Sequence, residues 1–550
     1  MNPRHTTTRA RALVVVTIAT IAGLLVLSAA PAAVPTGYDD LVKLFAEWRA
    51  FQKPRLVNGV PDYTPAAMAA QHRELATWQR RLAGIDPSGW DVPQQIDWRL
   101  VQAEMNGLDF DHRVLRPWAN NPAFYVTVFP SQSDQPAREG PFAAGGVELW
   151  SYAWPLAPND AETIAAGLRR IPALLEQARR NLVGNGRDLW ALGTRSIREQ
   201  SHDLSALAAQ IGAGAGGTLA ADVTRAREAT DAFAAWLDTQ TPSKQGLSGV
   251  GVDDYDWYLK HVQLVPYTWR DEVGLMTREL GRAHAFLLLE ERRNAQLPEL
   301  VPVASAEEHA RRFNEAVTEY MAFLREHDIL PVLDYMDSAL RARIGMFRPG
   351  AREFFTEIDY RDPEVMRTHG YHWFDLARMQ HDPHPSPIRR GPLLYNIFNT
   401  RTEGHATGWE ELMLQAGMFD RRPRARELIY VMLAQRAARA LGDLRMHANQ
   451  VTLEQAAEFA SANTPRGWLR LDGETVRGEQ HLYLQQPAYG TSYLVGKMLI
   501  EMLVAERRRQ LGPAFTMKEF MKEFDAAGLI PVSLIRWQLT GEPPESMGKP

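Results

Sequence analysis

Apolar side chains recur at spacings of three and four along most of this chain, with charged residues between them. Leu41, Leu44, Phe45 and Trp48 form one such row and Ile171, Leu174, Leu175 and Ala178 another; similar rows run through 306–324, 428–444 and 493–508. This spacing puts the apolar groups on one face of a 3.6-residue helix. Strict alternation, the mark of a strand, is confined to short pieces such as 124–129. The pattern predicts a mainly α fold with few short strands. The Gly/Ala run 211–217 has too little bulk for a helix interior, where each glycine costs about 1 kcal/mol, and reads as a loop. A second break, Thr241-Pro242-Ser243-Lys244-Gln245-Gly246, separates a front half, 36–245, from a back half, 246–550. The halves read as two lobes sharing a central cleft, and no internal repeat is present.

The amino terminus sets an expectation about compartment. Arg4, Arg9 and Arg11 precede an apolar run over 12–27, followed by Ser28-Ala29-Ala30-Pro31-Ala32. That order of basic, apolar and small residues is a secretory signal, here 1–32, and implies export to the periplasm or beyond. The alternative is an uncleaved anchor, in which case the membrane would be touched through this segment only. The chain has no cysteine, which excludes thiolate metal sites, thiol nucleophiles and disulfides. Any metal must therefore be held by His, Asp or Glu. The formal net charge is −5, with basic and acidic residues interspersed, so no surface for nucleic acid is advertised.

Six of the fifteen histidines lie between His369 and His447, and this window carries most of the unusual polar spacing. His369 and His372 are three apart, so on one helix both rings would share a face, which is half of a metal site. A Gly-Tyr pair stands between them, and on the alternative reading it spoils the helix and the rings merely pack. Glu403 and Glu410 are two helical turns apart, one able to bind a metal and the other able to orient a ligand or hold a proton. Arg439, Asp443 and His447 follow at intervals of four on an otherwise apolar helix. They form either an ion-pair ladder, with Asp443 accepting from Arg439, or the wall of a polar site in which Arg439 grips a carboxylate and His447 donates to an oxyanion. From Tyr483 to Ser492 a Pro/Gly/Tyr segment leads into a strong helix, with Thr491 or Ser492 as its cap.

The order of these elements resembles the bacterial family DUF885. In that family a Glu-Gly-Trp-Ala-x-Tyr-x-Glu motif is followed by Arg-x-x-x-Asp-x-x-x-His, Pro-x-x-x-x-Ser-Tyr-x-x-Gly-Lys and a closing Gly-x-x-Pro. Here the four read Glu403-Gly404-His405-Ala406 to Glu410, then Arg439/Asp443/His447, then Pro487 to Ser492-Tyr493 and Gly496-Lys497, then Gly528-Leu529-Ile530-Pro531. Weaker likeness continues upstream at 170–175 and 121–125. The resemblance implies a helical, metallopeptidase-like fold, zinc as cofactor and a peptide or peptide-like substrate. It also exposes a departure. The family's His-Glu-x-x-Pro-Gly-His-His segment is degenerate here: Pro363 stands in place of the first histidine, Glu364 on the glutamate and His369 on a later histidine.

The resemblance then implies a zinc site made from His369, His372 and Glu403, with Glu364 or Glu410 as base, and His405, His381 and His384 as surrogate ligands. His447 and Tyr493 would stabilise an oxyanion, and Arg439 and Tyr483 would bind substrate in a deep cleft. The expected activity is that of an exported metal-dependent peptidase or amidase. The alternative is a non-catalytic pseudo-peptidase of the cell envelope that binds a peptide or protein partner. Because everything after the signal is amphipathic, a chain beginning at Val34 is expected to be soluble and folded like the full chain. Circular dichroism and sedimentation of that product check this, and an insoluble or unfolded product counts against it.

Overall fold

The computed structural model describes residues 37–211, 218–350 and 352–544; the signal-like segment 1–32 and the glycine run 212–217 lie outside them. The fold is mainly α. The strands among the described residues are two short pairs: Leu56–Val57 antiparallel to Val60–Pro61, and Val128–Phe129 parallel to Val147–Glu148. Within 124–129 only the last two residues become strand. Asn121 accepts the Ala123 N–H and Pro122 fixes the first turn, so Pro122–Tyr125 closes as a 3-10 helix instead. No helix of the described residues is long and apolar enough to cross a membrane.

Two large apolar cores form among the described residues, beside a small third cluster around Met446, Leu453, Tyr483, Tyr489 and Tyr493. The smaller gathers Ile171, Leu174 and Leu175 against Trp190, Ile197 and Leu204 of the helix Arg187–Ile211 and Phe233 and Leu237 of Thr218–Gln240. The larger takes in most of the back half, together with Leu41, Leu44, Phe45 and Trp48 of the helix Tyr38–Phe51 and much of Val92–Phe110. The stretches 36–245 and 246–550 therefore share it.

At the centre of the larger core lie Asn399–Gln415, Pro423–His447 and Tyr489–Leu511. The first is buried at every residue from Asn399 to Glu411, charged ones included. The third begins at Tyr489, earlier than its apolar row suggests, because Ala488 turns the chain in the left-handed region (φ 67°). Thr491 and Ser492 consequently sit inside the first turn and donate to the carbonyls of Ala488 and Tyr489 instead of capping. Tyr483 belongs to the preceding helix, Glu474–Gln485.

The 399–415 and 489–511 helices cross backbone against backbone at Gly404 and Gly496. A Cβ on Gly496 would collide with the Thr400 carbonyl and with Gly404, and one on Gly404 would strike the Gly496 main chain. Neither neighbour can swing away. Gly274, in the helix Trp269–Arg293, faces open space. Gly496→Ala is thus expected to destabilise by about 3 kcal/mol or more through overpacking, whereas Gly274→Ala gains roughly 0.5–1 kcal/mol of helix propensity. Denaturant titration of both variants reads the contrast, and equal stability of Gly496→Ala with wild type would refute the crossing.

Candidate metal centre

Gly370 interrupts the segment that carries the histidine pair. His369 ends the helix Pro363–His369 and His372 lies in the first turn of Tyr371–His381. The rings still meet, edge to face, with centroids 5.0 Å apart. A third group joins them from the front half: a ring nitrogen of each histidine and an oxygen of Asp134 all lie within 4.8 Å of one another. Glu403 stands beside the trio, its Oε2 3.5 Å from His372 Nε2. That buried nitrogen has no hydrogen-bond partner.

The surroundings orient these groups. His369 Nδ1 lies 2.9 Å from Glu410 Oε1 and 3.2 Å from Arg436 Nη2, so this nitrogen is turned to the Glu410–Arg436 pair and Nε2 is the nitrogen left over. Glu410 is itself held by two 2.8 Å bonds from Arg436. Glu403 Oε1 accepts from the Tyr489 hydroxyl (2.5 Å) and from Gln135 Nε2 (3.0 Å), and Gln135 Oε1 accepts from Thr402. Burial alone would raise the Glu403 carboxyl, but the hydrogen bond and charge of His372, with Tyr489, hold it down to about 2. Burial opposes a charged His372 ring, yet Asp134 and Glu403 outweigh it and push the imidazole up to about 9. Glu139, which accepts from Ser133 and lies 3.5 Å from the Tyr489 hydroxyl, is pushed up to about 7 by burial and by Asp134.

Other residues singled out by sequence fall into different roles. Glu364 is paired with Arg422. His405 is fully buried, accepts from Arg401 at Nδ1 (3.0 Å) and packs on Tyr371. Burial, then Arg401, holds it well below the usual imidazole range, so it is a neutral core histidine. His381 stacks on Tyr335, and His384 accepts the Ser386 N–H. His447 has both nitrogens engaged with the main chain: Nε2 donates to the Tyr483 carbonyl (2.9 Å) and Nδ1 accepts from Val250. Neither is left for an oxyanion. Glu403, Glu410, Arg439, His447 and Tyr493 are all under 9% exposed, so they do not line an open wall.

Arg439 pairs with Glu479 of the 474–485 helix, and the Arg439–Asp443 pairing expected from the spacing of four does not form. Its guanidinium lies among Tyr483, Tyr493 and Phe355. The Tyr483 hydroxyl donates to Glu479 (2.7 Å). Asp443 instead accepts the Gly490 N–H (2.8 Å) and is pushed well above the carboxylate range by burial. Sequence reasoning missed Asp134, Gln135, Glu139 and Arg436. The first three lie in an irregular segment with no periodicity, whose only signal is the polar run Ser131-Gln132-Ser133-Asp134-Gln135.

Residues 370–539 match the family described as bacterial protein of unknown function (DUF885), so the resemblance read from the four motifs holds over that segment. Across the whole fold the chain is similar to a "putative lipoprotein of unknown function" from Shewanella oneidensis, with TM-score 0.65 and 15% identity over 92% of this chain and 98% of that one. A "putative lipoprotein" from Colwellia psychrerythraea gives TM-score 0.62 at 15% identity, with 92% and 98% covered. Both share the fold. No curated protein matches the chain.

The pairings set a stability order. Removing the partner of buried Arg439, Glu479→Ala, is expected to cost about 3 kcal/mol, while Asp443→Asn is mild near neutral pH. Because the Asp443 pKa is raised on folding, the native state holds a proton that the unfolded chain releases above about pH 4, and stability falls as pH rises. Asp443→Asn removes that loss, so the variant should gain on wild type with rising pH until the native Asp443 itself ionises. Melting curves across pH check this; a variant that loses ground to wild type as pH rises overturns it.

Proposed function

We propose that the protein is an exported, metal-dependent hydrolase of peptides or peptide-like amides that resides in the cell envelope. The observation that carries this reading is the convergence of Asp134, His369 and His372, with the unpartnered His372 Nε2 facing Glu403. An Asp/His/His/Glu set is the donor chemistry of zinc, and it needs no cysteine. The residues that would hold the ion are His369, His372, Glu403 and Asp134, with Glu410 aligning His369 as a carboxylate behind a histidine ligand. A bound divalent ion would supply a Lewis acid and an acidified water.

The remaining roles fall to the chain itself. The Tyr493 hydroxyl, close enough to Glu403 to feel its charge, makes no hydrogen bond among the described residues and is free to donate to a substrate oxygen. Glu139, with the Tyr489 hydroxyl between it and Glu403, is placed to hold a proton. Arg439, whose nitrogens lack directed hydrogen bonds despite the Glu479 ion pair, is placed to attract a carboxylate. The cell-envelope location draws on the signal-like 1–32 segment and on the two lipoproteins that share the fold.

A second reading has its own observation: the Gln135 side chain is buried against His372, Glu403 and Thr402 and closes the pair off, as a pseudo-peptidase that only binds a partner would allow. Metal content separates the two. Wild type supplied with zinc is expected to retain about one equivalent, and Glu403→Gln, which keeps the side-chain size but removes the charge, loses it without unfolding. Amide hydrolysis should fall with the metal. Elemental analysis beside a melting curve reads both, and a wild-type protein that takes up no zinc defeats the hydrolase and leaves the binding module.

A further inference from the structure

A cavity of about 570 Å³ lies where the two cores meet, drawing its walls from both. Much of its surface is aromatic: Tyr63, Trp118, Phe124, Phe142, Tyr258 and Tyr395. Its charged lining is unevenly satisfied. Arg49 is spent on Glu104 (2.8 Å) and the Pro392 carbonyl (2.7 Å), Arg138 on Glu148 (3.2 Å) and the Ser131 carbonyl (2.8 Å), and Lys53 is exposed to solvent. Asp111 alone is left over. No hydrogen bond or ion pair reaches its carboxyl among the described residues.

We propose that this cavity binds a small organic cation, its ammonium group against Asp111 and its apolar body against the aromatic rings. A carboxylate set among ring faces is the chemistry that recognises such a cation: the carboxylate supplies charge and hydrogen-bond acceptors, and the electron-rich faces complete the shell. Arg49 and Arg138 already have carboxylate partners, so the buried lining charge left for an occupant is Asp111, and a neutral molecule would leave it unpaired.

Three departures from regular backbone aim at the same space. Asp111 opens a π-helical turn, Asp111–Leu115, appended to the 92–110 helix and closed by Arg116 at φ 42°. Tyr258 immediately precedes a second π turn, Leu259–Gln263. Tyr395 and Asn396 are both left-handed, at φ 57° and 47°. The Tyr395 ring is seated on Gly107, where any Cβ would collide with it. Left-handed residues and π turns persist where the surrounding packing enforces them, often around ligands. Burial without a counter-charge also pushes the Asp111 carboxyl up to about 7, the mark of an acid without a cation. The proposal does not rest on the metal reading.

Calorimetric titration of the full chain with phenethylammonium chloride, 2-phenylethanol and phenylacetate tests it. The amine should bind one to one and about tenfold or more tighter than the alcohol, and phenylacetate should not bind. Asp111→Asn, which is isosteric and deletes an unpaired charge, should melt no lower than wild type and lose the preference for amine over alcohol. An amine that binds no tighter than the alcohol, a preference that survives Asp111→Asn, or no uptake at about 10 mM amine each overturns the proposal.

Discussion

Arg436 donates both terminal nitrogens to Glu410 between two helices that have no exposed face at that level, and both side chains are under 2% exposed. Around this pair the interior of the larger core is organised as a network of ions. Arg401 grips Asp375 and Asp525, and Glu410 turns to hold His369. A buried charge without a partner costs several kcal/mol, so the close approach of helices at Gly404 and Gly496 is tolerable only when each ion meets its opposite. The candidate metal centre sits at the edge of this network, where His372 Nε2 faces Glu403 Oε2 at 3.5 Å without a hydrogen bond.

Much of the fold was legible because amphipathic rows report the buried face of a helix directly. The rows at 306–324 and 428–444 became Ala306–Glu326 and Pro423–His447. Where prediction slipped, a single turn residue decided the outcome: Pro122 converted an alternating stretch into a 3-10 turn, and left-handed Ala488 started a helix earlier than its apolar row. Such turns depend on one or two dihedral angles, which periodicity does not encode.

The candidate site was legible only in part, and for a reason of distance along the chain. His369, His372, Glu403 and Glu410 share one window and could be read together. Asp134, Gln135 and Glu139 arrive from a segment more than two hundred residues upstream, with no helical spacing to tie them to it. Partner choice failed for the same reason. A spacing of four suggested Arg439 with Asp443, but that rule describes neighbours on an isolated helix, and within a bundle Glu479 of an adjacent helix comes closer.

The pairing of Arg401 with Asp525 carries a consequence for the order of assembly. Asp525 lies in the helix Met517–Ala526, near the end of the described chain, while Arg401 is at the centre of the most buried helix. During synthesis from the amino terminus, the central helix would emerge more than a hundred residues before one of its counter-ions. Until that carboxylate arrives, closing the core would strand part of a guanidinium charge in an apolar interior. The larger core should therefore complete its packing only after the helix Met517–Ala526 has been made, whereas the residues of the smaller core are all in place far earlier.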